Sequence, residues 1–244
     1  MRVIEIFASI QGEGKFIGTP STFVRFAGCN LRCSYCDTKY AWDSEAGQEL
    51  TPAEIVSELQ GGKDRDRTHV VLTGGEPLIQ QEAELYELCK VLYHDARVVT
   101  IETNGTIFPD YSLRDYVDLW SISPKLASAE LQEPVPDWRS VVSDMVEHIT
   151  PIKKTQIKFV VANEQDMLEA AEYARTARGL HYILQPEASQ AWLPQRGLDN
   201  VHYMYMQAYK KLVALAREHF PIDKVSVQIL PQLHILVWGR QRGV

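Results

Sequence analysis

Short apolar runs rich in β-branched residues alternate along the chain with segments of helical periodicity. The runs that predict strands are residues 21–27, 68–73, 97–103, 118–123, 156–161, 181–185 and 224–229. One predicted helix starts at a capping box formed by Thr51 and Glu54, and others cover residues 85–92, 163–179 and 201–220. Strand followed by helix, repeated about six times, predicts a parallel sheet with crossover helices, as an open doubly wound sheet or a complete or partial barrel.

Polar motifs directly follow five of these strands. They are the cysteine loop at 29–38, TGGEP at 73–77, ETNGT at 102–106, SPK at 123–125 and QPEAS at 185–189. The carboxyl ends of parallel strands meet at one edge of a sheet, and active sites collect at that edge. We therefore expect these five motifs to form one site.

The composition is that of a globular protein, and 244 residues without a linker-like segment predict a single domain, 1–244. A net charge of -7 without a basic cluster disfavours nucleic acid and anionic membranes, so a small-molecule substrate is expected. The opening MRVIEIFASI lacks signal-peptide features, and no apolar run is long enough to span a membrane, so we expect a cytoplasmic protein.

Three of the four cysteines, Cys29, Cys33 and Cys36, share one predicted loop with the spacing C-x3-C-x2-C. A structural zinc site would need a fourth ligand, and the histidines are scattered. Cys89 has the spacing of an amphipathic helix and is predicted to be a core residue. Three thiolates on a short loop suit three irons of a [4Fe–4S] cluster and leave the fourth iron open.

The spacing, with the aromatic Tyr35 before the last cysteine, resembles the signature of the radical S-adenosylmethionine (SAM) superfamily. The resemblance implies that SAM chelates the open iron and that one electron from the reduced cluster cleaves SAM to an adenosyl radical. We expect Gly74 and Gly75, which lack a β-carbon, to let the backbone approach SAM, and Glu76 to pair with its ammonium. Asn104 is a weaker candidate, with a left-handed turn position as the alternative.

Both ends of the chain carry a more specific resemblance. The stretches QGEG, FVRFAGC and CDT within residues 9–38, and the ending ILPQLHILVWGRQRGV, resemble the 7-carboxy-7-deazaguanine synthase family. The resemblance implies a partial (β/α)6 TIM-like barrel of the radical SAM type, with the N-terminal segment and C-terminal tail closing the substrate pocket. The implied activity is a lyase reaction that converts 6-carboxy-5,6,7,8-tetrahydropterin to 7-carboxy-7-deazaguanine with loss of ammonia, in 7-deazapurine (queuosine) biosynthesis for tRNA modification.

The same resemblance implies three cofactors, a [4Fe–4S] cluster, SAM used catalytically and Mg²⁺, and a set of binding residues. Substrate-binding residues are expected at Ile10, Gln11, Gly12, Arg25, Thr73 and, through its terminal carboxylate, Val244. SAM-binding residues are expected at Tyr35, Cys36, Asp37, Gly75, Ser123, Pro124, Lys125, Gln185, Pro186, Glu187 and Ala188. The expected cluster ligands are Cys29, Cys33 and Cys36, and Thr38 matches the family's Mg²⁺ ligand.

Arg25 also has support from its own strand pattern. Its neighbours Val24 and Phe26 are apolar, so the guanidinium faces the other side of the strand, where it can bind a carboxylate bidentately. Glu13 is expected near the substrate segment. Gln232 and His234 stay open between pterin contacts and core positions.

Two alternatives remain open. A glycyl-radical activase is also a SAM-dependent iron–sulfur protein, but it needs an open groove for a protein loop. A non-catalytic electron-transfer or metal-binding module would leave the GGE, SPK and QPE motifs unexplained. The family further implies an electron donor such as flavodoxin or ferredoxin, and a homodimer.

Overall fold

The computed structural model describes residues 1–61, 68–131, 137–149, 151–177, 179–187, 198–239, 241 and 243. Within this part of the chain one sheet has nine strands: β1 Arg2–Ile10, β2 Pro20–Phe26, β3 Gln48–Glu49, β4 His69–Gly74, β5 Val98–Thr103, β6 Leu119–Ile122, β7 Thr155–Val161, β8 His181–Pro186 and β9 Ser226–Ile229. The α-helices of the described residues are α1 Pro52–Gly61, α2 Glu82–His94, α3 Trp138–His148, α4 Glu164–Thr176, α5 Leu198–His219 and α6 Leu233–Trp238.

The strands lie in the order β3-β1-β2-β4-β5-β6-β7-β8-β9. From β2 to β9 every neighbouring pair is parallel, and all seven predicted strands belong to this run. β3 and β9 lie at the two edges and do not pair with each other among the described residues, so the predicted α/β fold with an incompletely closed sheet is confirmed. β1 was not predicted; it pairs antiparallel with β2 and with the short β3.

Helices cross between most of the parallel strands. The β5–β6 connection is the exception, because residues 104–118, all of which are described, contain a 3-10 helix, Tyr111–Asp115, in place of an α-helix. Asp110 caps this 3-10 helix, because its side chain accepts from the Ser112 N–H, and the strict alternation of strand and α-helix fails at this connection. Among the described residues, no helix combines the length and the apolar character that crossing a membrane requires.

Two helix starts show the side-chain caps that their sequences predict. At α1, the Thr51 N–H donates to Glu54 Oε2 at 2.8 Å and the Glu54 N–H donates to Thr51 Oγ1 at 3.3 Å, which is a capping box. At α4, the Asp166 N–H donates to Asn163 Oδ1 at 3.0 Å. These caps fix where each helix begins after its strand.

The sheet separates an apolar face from a polar one. Val24 and Phe26 of β2 are fully buried in the main hydrophobic core, whereas Arg25 between them points to the opposite face. Arg25 is paired in register with Thr73 of β4. By the same alternation, Glu102 of β5 and Lys158 of β7 reach the polar face. Charged residues of three strands thus meet on one side of the sheet.

Candidate active site

A cavity of about 340 Å³ lies over the polar face of the sheet and the carboxyl ends of the parallel strands. Its wall includes the cysteine loop, the QGEG segment, the glycines after β4 and the C-terminal residues Gly239, Gln241 and Gly243. The predicted site residues that line it are Ile10, Gln11, Gly12, Arg25, Cys29, Cys33, Tyr35, Cys36, Asp37, Thr38, Thr73, Gly75, Ser123, Lys125 and Glu187. Sequence motifs far apart in the chain therefore share one chamber.

The remaining predicted residues are placed differently. Pro124, Gln185 and Pro186 are buried and are not among the described residues that line the cavity. The Gln185 Nε2 group donates to Pro231 O at 3.4 Å. Ala188 and Val244 lie outside the described residues. The predicted SAM contacts of Pro124, Gln185, Pro186 and Ala188, and the predicted substrate contact of Val244, stay predictions.

The cysteine loop presents three thiols to one end of the cavity. Burial raises the pKa of Cys29 and Cys33, and the neighbouring thiols raise both further because their negative charges repel. The Leu31 N–H lies 3.4 Å from Cys29 Sγ, which it can stabilise as a thiolate. Cys89 is fully buried in α2 with the main core, which confirms its prediction as a core residue.

An asparagine network ties the cysteine loop to the loop after β5. Asn104 Nδ2 donates to Asn30 Oδ1 at 2.8 Å, and Asn30 Nδ2 donates to Thr106 Oγ1 at 2.8 Å. Asn104 is not in the left-handed region; the adjacent Gly105 is, with φ of 76°. The turn alternative for Asn104 is therefore wrong, and its side chain positions the loop that carries the thiols.

Glu76 does not have the role expected of it. Its side chain is fully buried and accepts hydrogen bonds from Thr103 Oγ1 at 2.7 Å, the Asn104 N–H at 2.7 Å and the Leu78 N–H at 3.1 Å. The Glu76 carboxylate is fully buried and is not among the described residues that line the cavity, so it does not reach the expected position of the SAM ammonium. It instead joins the loops after β4 and β5.

The two glycines before Glu76 are required by packing. A β-carbon on Gly75 would lie 1.7 Å from Gly28 O, and one on Gly74 would lie 2.3 Å from the Phe26 backbone. These contacts hold the GGE turn against the end of β2, where the Glu76 N–H donates to Gly28 O at 2.8 Å. The glycines therefore seat the turn directly beside the start of the cysteine loop.

Glu102 organises one wall of the cavity. Its two carboxylate oxygens accept from Gln11 Nε2 at 3.1 Å and from Thr73 Oγ1 at 2.9 Å. Two predicted substrate residues, on the QGEG segment and on β4, are thereby fixed by a third residue that the sequence reasoning missed. The sequence did indicate a special role for Glu102, because it is the one charged residue in an otherwise mostly apolar, buried strand.

Glu13 and Lys158 form a second buried polar group. Lys158 Nζ donates to Glu13 Oε2, and Gln232 Nε2 donates to Glu13 Oε1 at 2.7 Å. Burial alone would raise the pKa of Glu13, but the positive charge of Lys158 and the hydrogen bonds from Lys158 and Gln232 help to outweigh it, and that pKa is lowered to about 2. Burial lowers the pKa of Lys158, but the negative charges of Glu13, Glu102 and Asp37 and the hydrogen bond to Glu13 together raise it above its ordinary value. Both Glu13 and Lys158 are therefore charged at neutral pH.

The same group joins the two ends of the described chain. The Leu233 N–H donates to Gly12 O at 2.9 Å, and a β-carbon on Gly12 would lie 2.3 Å from His234 Nδ1. Gln232 and His234 both line the cavity, so they are wall residues of the same chamber.

Comparison with known proteins identifies the family to which the chain belongs. A sequence profile of the radical SAM superfamily matches residues 23–180. A 7-carboxy-7-deazaguanine synthase of Hyperthermus butylicus is 44% identical over 97% of this chain and 92% of its own length. That of Pyrobaculum aerophilum is 36% identical over 100% of this chain and 97% of its own. This chain belongs to the 7-carboxy-7-deazaguanine synthase family.

The fold of this chain is also similar to that of a solved structure. The crystal structure of QueE from Escherichia coli superposes with a TM-score of 0.62 over 93% of this chain and 92% of that one, at 23% identity. At this identity the match speaks for the fold alone.

Membership of the synthase family and of the radical SAM superfamily implies a [4Fe–4S] cluster and SAM as cofactors. The donor set fits, since three thiols line one chamber and a backbone N–H faces one of them. The described His, Cys, Asp and Glu side chains include no group of three placed to hold a single metal ion. A cubane cluster takes each thiolate on a different iron, so its ligands need not converge on one point.

Proposed function

We propose that this chain is a radical SAM lyase that converts 6-carboxy-5,6,7,8-tetrahydropterin to 7-carboxy-7-deazaguanine and ammonia, in 7-deazapurine biosynthesis. The observation that carries this proposal is one cavity lined both by the three-thiol loop and by Arg25, Thr73 and Glu102 of the strands. Similarity over nearly the full length of named synthases supports the same reaction.

The part of the cavity wall formed by the strands and the QGEG segment has the groups that a carboxylated pterin requires. Arg25 offers a guanidinium for the carboxylate, which it can bind through parallel hydrogen bonds. Gln11, Thr73 and the Glu102 carboxylate offer acceptors and donors to the amide-like edge of the pterin. Ile10 and Gly12 would contribute backbone groups, and Val244 its terminal carboxylate.

The SAM site would lie between the thiols and this wall. Cys29, Cys33 and Cys36 would hold the cluster, which when bound and reduced supplies the electron for SAM cleavage. Lys125 and Ser123, joined by a hydrogen bond of 3.2 Å, line the cavity and suit the ribose or carboxylate of SAM. The other proposed SAM residues are Tyr35, Cys36, Asp37, Gly75, Pro124, Gln185, Pro186, Glu187 and Ala188.

Mg²⁺ is a further proposed cofactor, with Thr38 as its protein ligand. Thr38 lines the cavity, and its Oγ1 lies 3.7 Å from Cys36 Sγ, at the cluster end of the chamber. A hydroxyl that shares a cavity with a substrate carboxylate suits Mg²⁺, which takes oxygen ligands and keeps several waters.

The proposed reaction also needs partners. Reduction of the cluster requires an electron donor such as flavodoxin or ferredoxin, and we propose a homodimer by analogy with the family. Thiols that hold a cluster need a reducing compartment, so the cytoplasm is the expected location.

The test is turnover by the anaerobically reconstituted protein with reductant, SAM and Mg²⁺. We expect the carboxytetrahydropterin to yield the deazaguanine, and Arg25→Met to raise KM at least about tenfold, because a charge-assisted bidentate contact is lost. Arg139→Met is the matched control, since Arg139 pairs with Glu169 away from the cavity.

SAM cleavage without deazaguanine would refute the substrate assignment. It would leave a radical enzyme with another substrate, such as the activase class. Absence of both SAM binding and SAM cleavage would instead favour the non-catalytic module.

A further inference from the structure

Arg25 is held by a partner outside the cavity wall. Glu5 of β1 lies directly opposite Arg25 of β2 in the antiparallel pairing. Arg25 Nε donates to Glu5 Oε1 at 2.8 Å, and the Tyr40 hydroxyl donates to the same oxygen at 3.1 Å. The Arg25 and Glu5 side chains are only 15% and 17% exposed, so solvent screens this ion pair weakly.

Aromatic rings restrict the guanidinium further. Its central carbon lies 5.6 Å from the ring centroid of Phe7 and 5.9 Å from that of Tyr40. Phe7 is itself stacked on Phe23, with ring centroids 5.1 Å apart. The ion pair and these two ring contacts together define one orientation of Arg25.

This orientation determines which edge of Arg25 is used. A guanidinium has five N–H donors in a fixed plane, and Glu5 takes the Nε–H. The two terminal nitrogens remain for a carboxylate, which they can bind with two parallel hydrogen bonds. Arg25 is among the residues that line the cavity, whereas Glu5 is not. The guanidinium edge that Glu5 does not use therefore belongs to a cavity-lining residue.

Other carboxylates line the same cavity as this guanidinium. Glu13, Asp37 and Glu102 all line the cavity that Arg25 faces. Glu13 already accepts from Lys158 and Gln232. Glu102 already accepts from Gln11 and Thr73. Among the described residues the ion pair of Arg25 is the one with Glu5, so loss of Glu5 would remove the charged contact that sets the orientation of the guanidinium.

We propose that Glu5 is a positioning residue that orients Arg25 for the carboxylate of the substrate, and so makes the site selective for carboxylated pterins. This inference rests on the proposed function. The positioning role and a simple charge effect predict opposite changes in substrate affinity when Glu5 is removed. By Coulomb attraction alone, removing a negative charge beside Arg25 should tighten the binding of an anion. Loss of orientation should weaken it.

The experiment compares two ligands on the anaerobic holoenzyme with SAM bound. Dissociation constants are measured by calorimetry for 6-carboxypterin and for pterin without the carboxyl group. We expect Glu5→Ala to weaken 6-carboxypterin binding about tenfold and to leave pterin binding within about twofold. Glu5→Gln keeps an oxygen that can accept from Arg25 Nε, so it should restore most of the lost affinity.

Glu169→Gln is the matched control, because Glu169 accepts from Arg139 at 2.7 Å in an ion pair that does not line the cavity. It should change neither constant. Tighter or unchanged 6-carboxypterin binding in Glu5→Ala, or equal weakening of both ligands, would overturn the positioning role alone. If the wild-type holoenzyme binds neither ligand, the proposed function fails and this inference with it.

Discussion

The buried pair of Glu13 and Lys158 allows a stability prediction with a defined magnitude and pH dependence. Lys158 Nζ donates to Glu13, and the pKa of Glu13 is lowered from its ordinary value of 4.5 to about 2. That difference corresponds to roughly 3 kcal/mol of stabilisation of the charged carboxylate in the folded state. Replacing Lys158 by Met keeps most of the side-chain volume and leaves Glu13 buried without its main partner.

We therefore expect Lys158→Met to lower the free energy of unfolding by about 3 to 5 kcal/mol at pH 7. Glu13→Gln should cost less, because it retains an oxygen that can accept from Gln232. The double variant should be more stable than Lys158→Met alone, giving a coupling of about 3 kcal/mol between the two positions. Urea unfolding of the cluster-free chain measures all four proteins.

The pH dependence gives the sign of the effect. The folded pKa of Glu13 lies below its unfolded value of 4.5, so the stabilisation is fully present above that value. It is lost as the pH falls from about 4.5 toward about 2, where the folded group also binds a proton. The coupling should decrease over this window.

The matched control for this cycle is the Arg139–Glu169 pair, whose arginine is 44% exposed. Its coupling should stay below about 1 kcal/mol, as for other solvent-exposed pairs. A coupling between Glu13 and Lys158 as small as the control, or one that does not change between pH 5 and pH 3, would show that this buried ion pair does not stabilise the fold.

Three further predictions concern the cluster end of the cavity. Gly75→Ala should lower the free energy of unfolding by at least about 3 kcal/mol in thermal or urea unfolding, because its β-carbon would lie 1.7 Å from Gly28 O. As a control, the β-carbon of Gly61→Ala meets nothing within 4 Å, so this variant should change stability by less than about 1 kcal/mol. Equal effects of the two variants would contradict the packing argument. Thr38→Ala should reduce the Mg²⁺ dependence of turnover while iron content stays unchanged, and an unaltered Mg²⁺ response would remove Thr38 as a ligand. Cys33→Ala should abolish SAM cleavage and lower iron content, and persistent cleavage would exclude the three-thiol cluster.

The apolar pattern predicted the parallel part of the sheet but not its margin. All seven predicted strands are present in the structure. They could be recognised in the sequence because strands buried in a parallel sheet consist of nearly continuous apolar, β-branched residues. In β1, Glu5 and Ser9 interrupt the apolar residues without a regular alternation, and the strand is only partly buried, so its sequence gave a weaker signal. Its position beside β2 could not be read from the sequence, because register and neighbour order depend on contacts between distant residues.

The site was predicted best where a motif follows a strand, and less well where a single charge lies within one. Arg25 was found because it interrupts an apolar strand, and the same criterion identifies Glu102 and Lys158, to which it was not applied. The role of Glu76 was wrong because burial and three internal donors are properties of the folded loops. No spacing in the sequence indicates that the GGE turn packs against Gly28.

We propose that this cavity is the site of a SAM-dependent pterin lyase that regenerates SAM. The most direct measurement supplies the anaerobic, reduced holoenzyme with Mg²⁺, limiting SAM and excess carboxytetrahydropterin, and quantifies deazaguanine, ammonia and 5′-deoxyadenosine. We expect one ammonia for each deazaguanine formed, and more deazaguanine than SAM supplied. Accumulation of 5′-deoxyadenosine without deazaguanine would contradict it.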